Sequence, residues 1–385
     1  MSELERYRGE IDRIDQQLVS LWEERTQITD QVGRYKREHG IDVLDRSREQ
    51  AVLESKKALL KDPGLQQDVV TLYETIMAIS RKRQRRLLTG PDPWVQRYLE
   101  EAAFARDPVE TPKVLYQGEP GAYAEEATVR FFGEEISRAP VPKWEDVLES
   151  LYQGKADYGV LPIENSSTGS INQVYDLLAK TGAYIVGEQT VKVDHCLMAP
   201  RGATLDTIRT VYSHEQGLFQ CDEYLKAHPQ WRQEAMLNTA AAAKAVAGRG
   251  DVRLAAIGSK RAAALYGLDV LAEAINSNDE NYTRFVVVSP VMERRPGRNK
   301  VSALFTVPHR SGTLHQIMTV FAVAGLNMMK LESRPVPGKN WEYLFFVDFT
   351  GDLTQPGMDE VLRELSESAD GFRVLGNYRA SEDRP

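Results

Sequence analysis

The chain has 385 residues, 42% of them hydrophobic and 27% charged, with a formal net charge of −8. That length exceeds one ordinary core and predicts two or three domains. The acidic balance argues against nucleic acid as a general partner, and no window holds the roughly 18 apolar residues that a membrane helix needs.

The N-terminus is charged from Glu3 onward and shows no apolar leader segment. The two cysteines, Cys196 and Cys221, have no metal-ligand spacing and read as free thiols of a reducing, cytoplasmic compartment. No metal and no cofactor is expected.

Residues 1–90 predict an all-helical domain. Ile11, Ile14, Leu18, Leu21, Trp22, Ile28, Val32 and Tyr35 follow helical spacing, so residues 4–38 read as one long amphipathic helix ended by His39-Gly40. A second helix is expected from Asp45 to the stop at Asp62-Pro63-Gly64. A third runs from about 65 to 89, with Val69, Leu72, Tyr73, Ile76 and Ile79 on its apolar side. Its basic end, "RKRQRR" at 81–86, reads as a solvated helix terminus whose cations offset the macrodipole. Three helices, one of them very long, cannot bury a core alone, which predicts pairing with a second copy. Residues 91–112 read as a proline-containing linker.

From 113 to 290 strands and helices alternate: "KVLYQG" and "YGVLPIE" as strands, "SINQVYDLLAKTG" as a helix, then "AYIVGEQTVKVDHCLMA", "NTAAAAKAVAG", "LAAIGS" and "TRFVVVSP". This is an α/β domain whose chain crosses more than once between two halves. "MERRPGRNK" reads as a second linker. Residues 299–381 give strand, helix, strand, strand, helix, strand, the order of a ferredoxin-like module.

Within the helical domain, Arg25 and Lys36 lie eleven residues apart, close to three turns, and share a face. Asp45, Arg48 and Glu49 are spaced i, i+3, i+4, and Ser80 and Gln84 repeat the i, i+4 relation. Arg8 sits at the start of the first helix. This constellation resembles the all-helical chorismate mutases across nearly all of residues 1–90. The rearrangement of chorismate to prephenate stretches an ether bond without moving a proton, so it needs cationic clamps and donors aimed at the ether oxygen. The resemblance implies that Arg25 and Arg8, the latter from a partner chain, hold carboxylates. It puts Lys36 and Gln84 at the ether oxygen and Asp45 and Glu49 at the ring hydroxyl.

"ENYTRFVVVS" at 280–289 loads an amide, a hydroxyl and a guanidinium onto the mouth of a buried strand. A capped turn would do this; so would a strand-end active site. Together with "GEPGAYAEEA", "YGVLPIENSSTGSINQVYDLL", "DHCLM" and "VYSHEQGLFQC", the T-R-F triplet resembles prephenate dehydratase over about 113–290. The resemblance implies a two-lobed α/β fold of the periplasmic-binding-protein type. Thr283 would take the central catalytic role, hydrogen-bonding the departing ring hydroxyl as CO₂ leaves. Arg284 would brace the strand and Phe285 fill the core.

Glu164 and Asn165 end an apolar strand, and Ser166 to Gly169 are expected to lead into a helix whose backbone N–H groups could bind an anion or simply be capped. Asn238 and Thr239 carry the same ambiguity. Ser213 and Gln220 align with the family's polar cleft residues, although Gly217-Leu218-Phe219 departs from its usual pattern. His195 and His214 read as structural, since no third ligand has suitable spacing.

"KLESRP" resembles the E-S-R-P motif of the amino-acid-binding ACT domains attached to prephenate dehydratases. Its G-A-L-V companion stands here as Gly312-Thr313-Leu314-His315. The implied effector is phenylalanine, held by Gly312, Leu314, Asn327, Glu332, Ser333, Arg334 and Pro335. The expected protein is a bifunctional chorismate mutase–prephenate dehydratase, a homodimer or larger. Alternatives are a dehydratase acting mainly on arogenate and a non-catalytic, amino-acid-responsive binding protein.

Overall fold

The computed structural model describes residues 2–87, 105–307, 309, 312–336 and 342–381. The chain divides into two compact units. The first comprises residues 1–100, 305–345 and 353–372; the second comprises 101–304, 346–352 and 373–385.

In the first unit, helix α1 (Glu3–His39) opens with a capping box between Ser2 and Glu5 and closes on Gly40 at φ 62°, a left-handed turn that glycine adopts without strain. Helix α2 (Arg46–Ala58) is capped by Asp45, whose Oδ1 accepts from the Arg48 N–H at 2.9 Å. It ends four residues before the expected stop. The chain then enters a 3₁₀ turn at Pro63–Leu65, capped by Asp62. Helix α3 follows at Gln66–Leu87.

Only Gly33 of α1 is buried. Leu4, Tyr7, Ile11, Ile14, Leu18, Leu21, Ile28, Val32 and Tyr35 are all exposed. They repeat at alternating steps of three and four, the seam of a two-helix supercoil, interrupted only at Arg25.

The basic end of α3 corrects the solvated-terminus expectation. Arg85 is 2% exposed. Its guanidinium pairs with Glu367 and lies 2.9 Å from Glu364. Arg81 pairs with Glu364 and Glu49, and Lys82 Nζ donates to the Val323 carbonyl at 2.8 Å. Arg83 remains half exposed, paired with Asp30. The acidic helix that carries Glu364 and Glu367 was invisible as a neighbour in the linear pattern.

The second unit opens with β1 (Lys113–Gln117), α4 (Tyr123–Phe132), β2 (Ser137–Val141), α5 (Trp144–Tyr152), β3 (Tyr158–Asn165), β4 (Gly169–Ser170), α6 (Asn172–Thr181) and β5 (Tyr184–Lys192). The chain then builds β6 (Cys196–Ala199), β7 (Thr210–Ser213), α7 (Glu215–Gln220), α8 (Asp222–Lys226), β8 (Arg232–Ala235), α9 (Thr239–Arg249), β9 (Leu254–Gly258), α10 (Lys260–Tyr266) and β10 (Asp269–Ala272). Finally β11 (Tyr282–Ser289) returns to the first sheet. The sheets run β2-β1-β3-β11-β5, with β4 paired to β3, and β10-β6-β9-β7-β8. The chain thus crosses after β5 and again before β11, as two halves require. Val114, Tyr116, Tyr158, Val160, Phe285 and Val287 share the first core.

A third sheet, ordered β13-β14-β12-β15, carries residues of both units. Its chain order is β12 (Lys300–Thr306), α11 (Thr313–Ala324), β13 (Met328–Pro335), β14 (Tyr343–Thr350), α12 (Met358–Ser368) and β15 (Gly371–Tyr378), a ferredoxin-like βαββαβ arrangement. At Gly376 a Cβ would stand 1.9 Å from the Ile185 carbonyl oxygen, so only glycine lets β15 lie this close to β5.

Of the expected linkers, 91–112 is described only from residue 105. The segment 292–300 is no free linker. Glu293 is 2% exposed and takes Tyr158, Arg106 and Arg295 as partners, because a buried carboxylate must be paired. Among the described residues no helix is long and apolar enough to cross a membrane.

Candidate active sites

In the helical site, Arg25 Nη1 donates to Ser80 Oγ at 2.8 Å. Ser80 and Gln84 are buried one turn apart on α3. Among the described residues the Gln84 Oε1 has no hydrogen-bond partner, and a buried unsatisfied amide oxygen is costly unless something else fills the site. Lys36 Nζ donates to the carbonyls of Asp42 and Val43, at 3.0 and 2.7 Å, at the turn before α2.

Asp45 is exposed and occupied as the α2 cap, with Ser47 on the same oxygen. These bonds hold its carboxyl below the usual range. Arg48 is exposed. Glu49 Oε1 accepts from Arg81 Nη1 at 2.6 Å. Arg8 is exposed and lies 17 residues from Arg25, about 25 Å along the axis. One chain therefore gathers Arg25 with Ser80 and buries Gln84, but leaves Arg8 far away.

In the second site, β11 runs antiparallel to β3 with Thr283 opposite Asn165 and Arg284 opposite Glu164. The Thr283 Oγ1 accepts from Asn165 Nδ2 at 2.9 Å. Among the described residues it donates to nothing, so its O–H hydrogen remains available. The same Asn165 amide reaches Asn281 Oδ1 and the Tyr282 carbonyl.

Asn165 Oδ1 accepts from the N–H groups of Ser167 and Thr168, both at 3.0 Å. This corrects the anion-site expectation. Residues 166–168 turn into β4 rather than into a helix, and those N–H groups are already taken. Asn238 likewise serves as a cap, accepting from Ala241 N–H at 2.7 Å.

On the second sheet Ser213 is fully buried, donating to the Ile257 carbonyl at 2.9 Å. A Cβ on Gly217 would stand 2.6 Å from that hydroxyl, which explains the glycine in this departing phrase. The Gln220 Oε1 lies 2.9 Å from His195 Nε2. An amide oxygen only accepts, so Nε2 carries the proton. Burial pushes the His195 pKa down, keeping the ring neutral. Tyr123 lies 3.2 Å from its Nδ1. His195 is thus a buried brace on Gln220, while His214 caps α7 through Gln216 N–H.

Sequence reasoning missed the charges beneath Thr283. The Arg284 guanidinium meets Glu164 at 3.2 Å, Glu188 at 3.1 Å and Asp348 at 2.7 Å. Lys300 Nζ meets Glu188 at 2.7 Å and Asp348 at 3.4 Å. Burial alone would raise the Asp348 pKa, but Arg284 and Lys300 outweigh it and hold it at about 2. The signal was present: the Glu in "YIVGEQTVK" and the Asp in "YLFFVDFT" are the carboxylates of strands that are mostly apolar.

In the C-terminal module, Gly312 sits at φ 83° as the cap of α11, with Leu314 half-buried just inside it. β13 is an edge strand. Along it Glu332 and Arg334 are half-buried, while Ser333 and Pro335 alternate outward; Asn327 is exposed just before it. His315 Nδ1 lies 3.3 Å from Glu74 of α3, which gives the departing residue a structural partner.

The prephenate dehydratase family profile matches residues 114–293, and that of chorismate mutase type II matches residues 7–85. The bifunctional chorismate mutase/prephenate dehydratase of Escherichia coli (strain K12) is 34% identical over 380 residues, 96% of this chain and 95% of that protein. Among solved structures, the prephenate dehydratase of Arthrobacter aurescens in complex with L-Phe is 29% identical with a TM-score of 0.64, covering 71% of this chain and 91% of that one. A structure described as GqqA, a novel type of quorum quenching acylase, is 30% identical with a TM-score of 0.65, covering 71% of this chain and all of that one. The paired helical and α/β sites, with full-length similarity across both, make this chain a member of the bifunctional chorismate mutase/prephenate dehydratase family, an enzyme with both activities.

Proposed function

We propose that the mutase reaction runs on residues 1–90 and the dehydratase reaction on residues 113–290, under phenylalanine control by an ACT module at 299–381, in a cytoplasmic homodimer or larger. In the mutase, Arg25 and the Arg8 of a second copy clamp the substrate carboxylates. Lys36 and Gln84 face the ether oxygen, and Glu49 takes the ring hydroxyl with Asp45 and Arg48 beside it. The exposed apolar stripe of α1 supports this pairing: a second α1 laid along it would bury the stripe.

In the dehydratase, Thr283 donates a hydrogen bond to the departing ring hydroxyl of prephenate and keeps its proton. The bond from ring carbon to carboxylate breaks as CO₂ forms, its electrons enter the ring, the carbon–oxygen bond breaks, and the departing hydroxide takes a proton from solvent to become water. Asn165, Glu164 and Gln220 line the same cleft, whereas Ser213, fully buried with its hydroxyl on the Ile257 carbonyl, supports the second lobe from within rather than facing substrate. The observation that carries this reading is the Thr283 hydroxyl, which accepts one bond from Asn165 and keeps its hydrogen for the substrate. The effector would bind at Gly312, Leu314, Asn327 and the Glu332–Pro335 strand; that the Arthrobacter relative was solved in complex with L-Phe supports the choice of ligand.

The test is to incubate the protein with chorismate and follow prephenate and phenylpyruvate separately, with and without phenylalanine. Both products should appear, and phenylalanine should inhibit without competing against prephenate. Strictly competitive inhibition would overturn the regulatory part.

A further inference from the structure

Ser80 and Arg81 are neighbours on α3, and each holds one proposed mutase residue: Ser80 takes Arg25, and Arg81 takes Glu49 at 2.6 Å. Arg81 is held in turn from its other side. Its Nε donates to Glu364 Oε1 of α12 at 3.0 Å. The side chains of Arg81 and Glu364 are only 11% and 6% exposed. Burial works against the Arg81 charge, but Glu49 and Glu364 outweigh it and push its pKa up.

Glu364 cannot drift freely. Arg85 lies on its second oxygen at 2.9 Å, and Arg46 Nη2 donates to the Glu367 carbonyl at 2.5 Å. Lys82 and His315 tie α11 to α3 at Val323 and Glu74. A cavity of about 450 Å³ beside these groups is lined by Glu49, Glu74, Arg81, Thr313 and Gln316.

A buried cation shared by two carboxylates is a poor way to gain stability, since apolar side chains of the same volume do as well or better. Its geometric yield is orientation. A planar guanidinium with two donor edges fixes one carboxylate relative to the other.

We propose that Arg81 is a positioning residue of the mutase: it sets the Glu49 carboxylate for the substrate and is itself set by Glu364, so that α12 of the C-terminal module forms part of the mutase site. This rests on the reading of Glu49 as the acceptor of the ring hydroxyl. The C-terminal module is then a structural component of the mutase as well as a candidate effector module.

The experiment is steady-state mutase kinetics on full-length Glu49→Gln, Arg81→Met, Arg81→Lys and Glu364→Gln, with each change at 81 and 364 repeated in the Glu49→Gln background. Dehydratase turnover of supplied prephenate checks that every sample is folded. Arg81→Met should raise the chorismate KM about tenfold or more, as the loss of one charge-assisted contact does. Glu364→Gln should raise it about threefold, and Arg81→Lys should fall between them, because an ammonium keeps Glu49 but cannot span both carboxylates. In the Glu49→Gln background none of these changes should matter, since the residue they position is gone. Wild-type kinetics in Glu49→Gln would overturn the reading of Glu49 and the proposal with it. A damaged Glu49→Gln with a silent or fully additive Glu364→Gln would overturn the proposal alone.

Discussion

Helix α1 and strand β11 each present a residue to a proposed active site, Arg25 and Thr283, on opposite structural terms. α1 buries only Gly33, whereas β11 is buried without a break from Phe285 to Ser289. Thr283 has its neighbours, Asn165 and Val191, fixed by ladder register within one chain. Arg25 has Ser80 within its own chain, and in the proposed dimer the cation at Arg8 comes from another copy. On the proposed reading, the dehydratase site is a product of folding, and the mutase site is a product of folding and assembly. Dilution, mutation and acid should therefore separate them.

The largest effect is expected at the self-contained site. Thr283→Ala should lower dehydratase kcat by about 10³ while changing KM little, because the lost hydrogen bond is to a leaving group. Thr283→Ser should keep much more activity. Equal prephenate turnover by the alanine variant and the parent would reduce the triplet to a capped strand. Arg25→Ala should come next, lowering mutase turnover by about 10² through loss of a substrate clamp. Its dehydratase rate on supplied prephenate should stay at the parent level; a matched fall in both activities would deny that the sites are independent.

The same contrast explains what the sequence made legible. Helical spacing is local, so counting residues groups Arg25 with Lys36, Asp45 with Arg48 and Glu49, and Ser80 with Gln84; only the resemblance to the helical mutases joins the three groups into one site. The alternation of strands and helices along the chain, and more than one crossing between two halves, were readable from the apolar runs; the order of strands within each sheet was not. What escaped was each contact between segments distant in sequence. Arg81 and Arg85 read as solvated cations because α12, more than 270 residues later, cannot be placed by periodicity. Arg284, Glu188, Lys300 and Asp348 come from four strands, and only their oddity inside apolar runs hinted at pairing. For Ser166 to Gly169 the choice between an anion site and a capped turn depends on the Asn165 side chain, which accepts from the Ser167 and Thr168 N–H groups, and spacing alone does not fix its direction.

Assembly should be breakable without touching either site. Leu18→Asp puts a charge in the middle of the α1 stripe, where a desolvated carboxylate would oppose pairing. The variant should sediment as a smaller species than the parent. At low protein concentration its mutase rate should drop about tenfold, recovering as concentration rises, since Arg8 must be delivered by a second copy. Dehydratase activity should be unaffected. An unchanged sedimentation coefficient would remove α1 as the pairing surface.

The smallest expected effect concerns the charges that brace β11. Asp348 is held at about 2, against 3.8 for an ordinary aspartate, by Arg284 and Lys300 acting against its burial. A carboxyl whose pKa is lower in the folded than in the unfolded state contributes stability above the unfolded value and loses it as pH falls through the folded one. The difference here corresponds to about 2 kcal/mol, fully present above roughly pH 4 and gone below about pH 2. Asp348→Asn should therefore unfold at lower urea than the parent at pH 7, and the gap should narrow steadily between pH 4 and pH 2, when unfolding is followed by circular dichroism. A constant gap across that range would mean that Asp348 stabilises the fold by its shape and hydrogen bond to Ser302 rather than by its charge. In that case the ion network would brace Thr283 through packing alone, and the variant should retain the dehydratase rate of the parent.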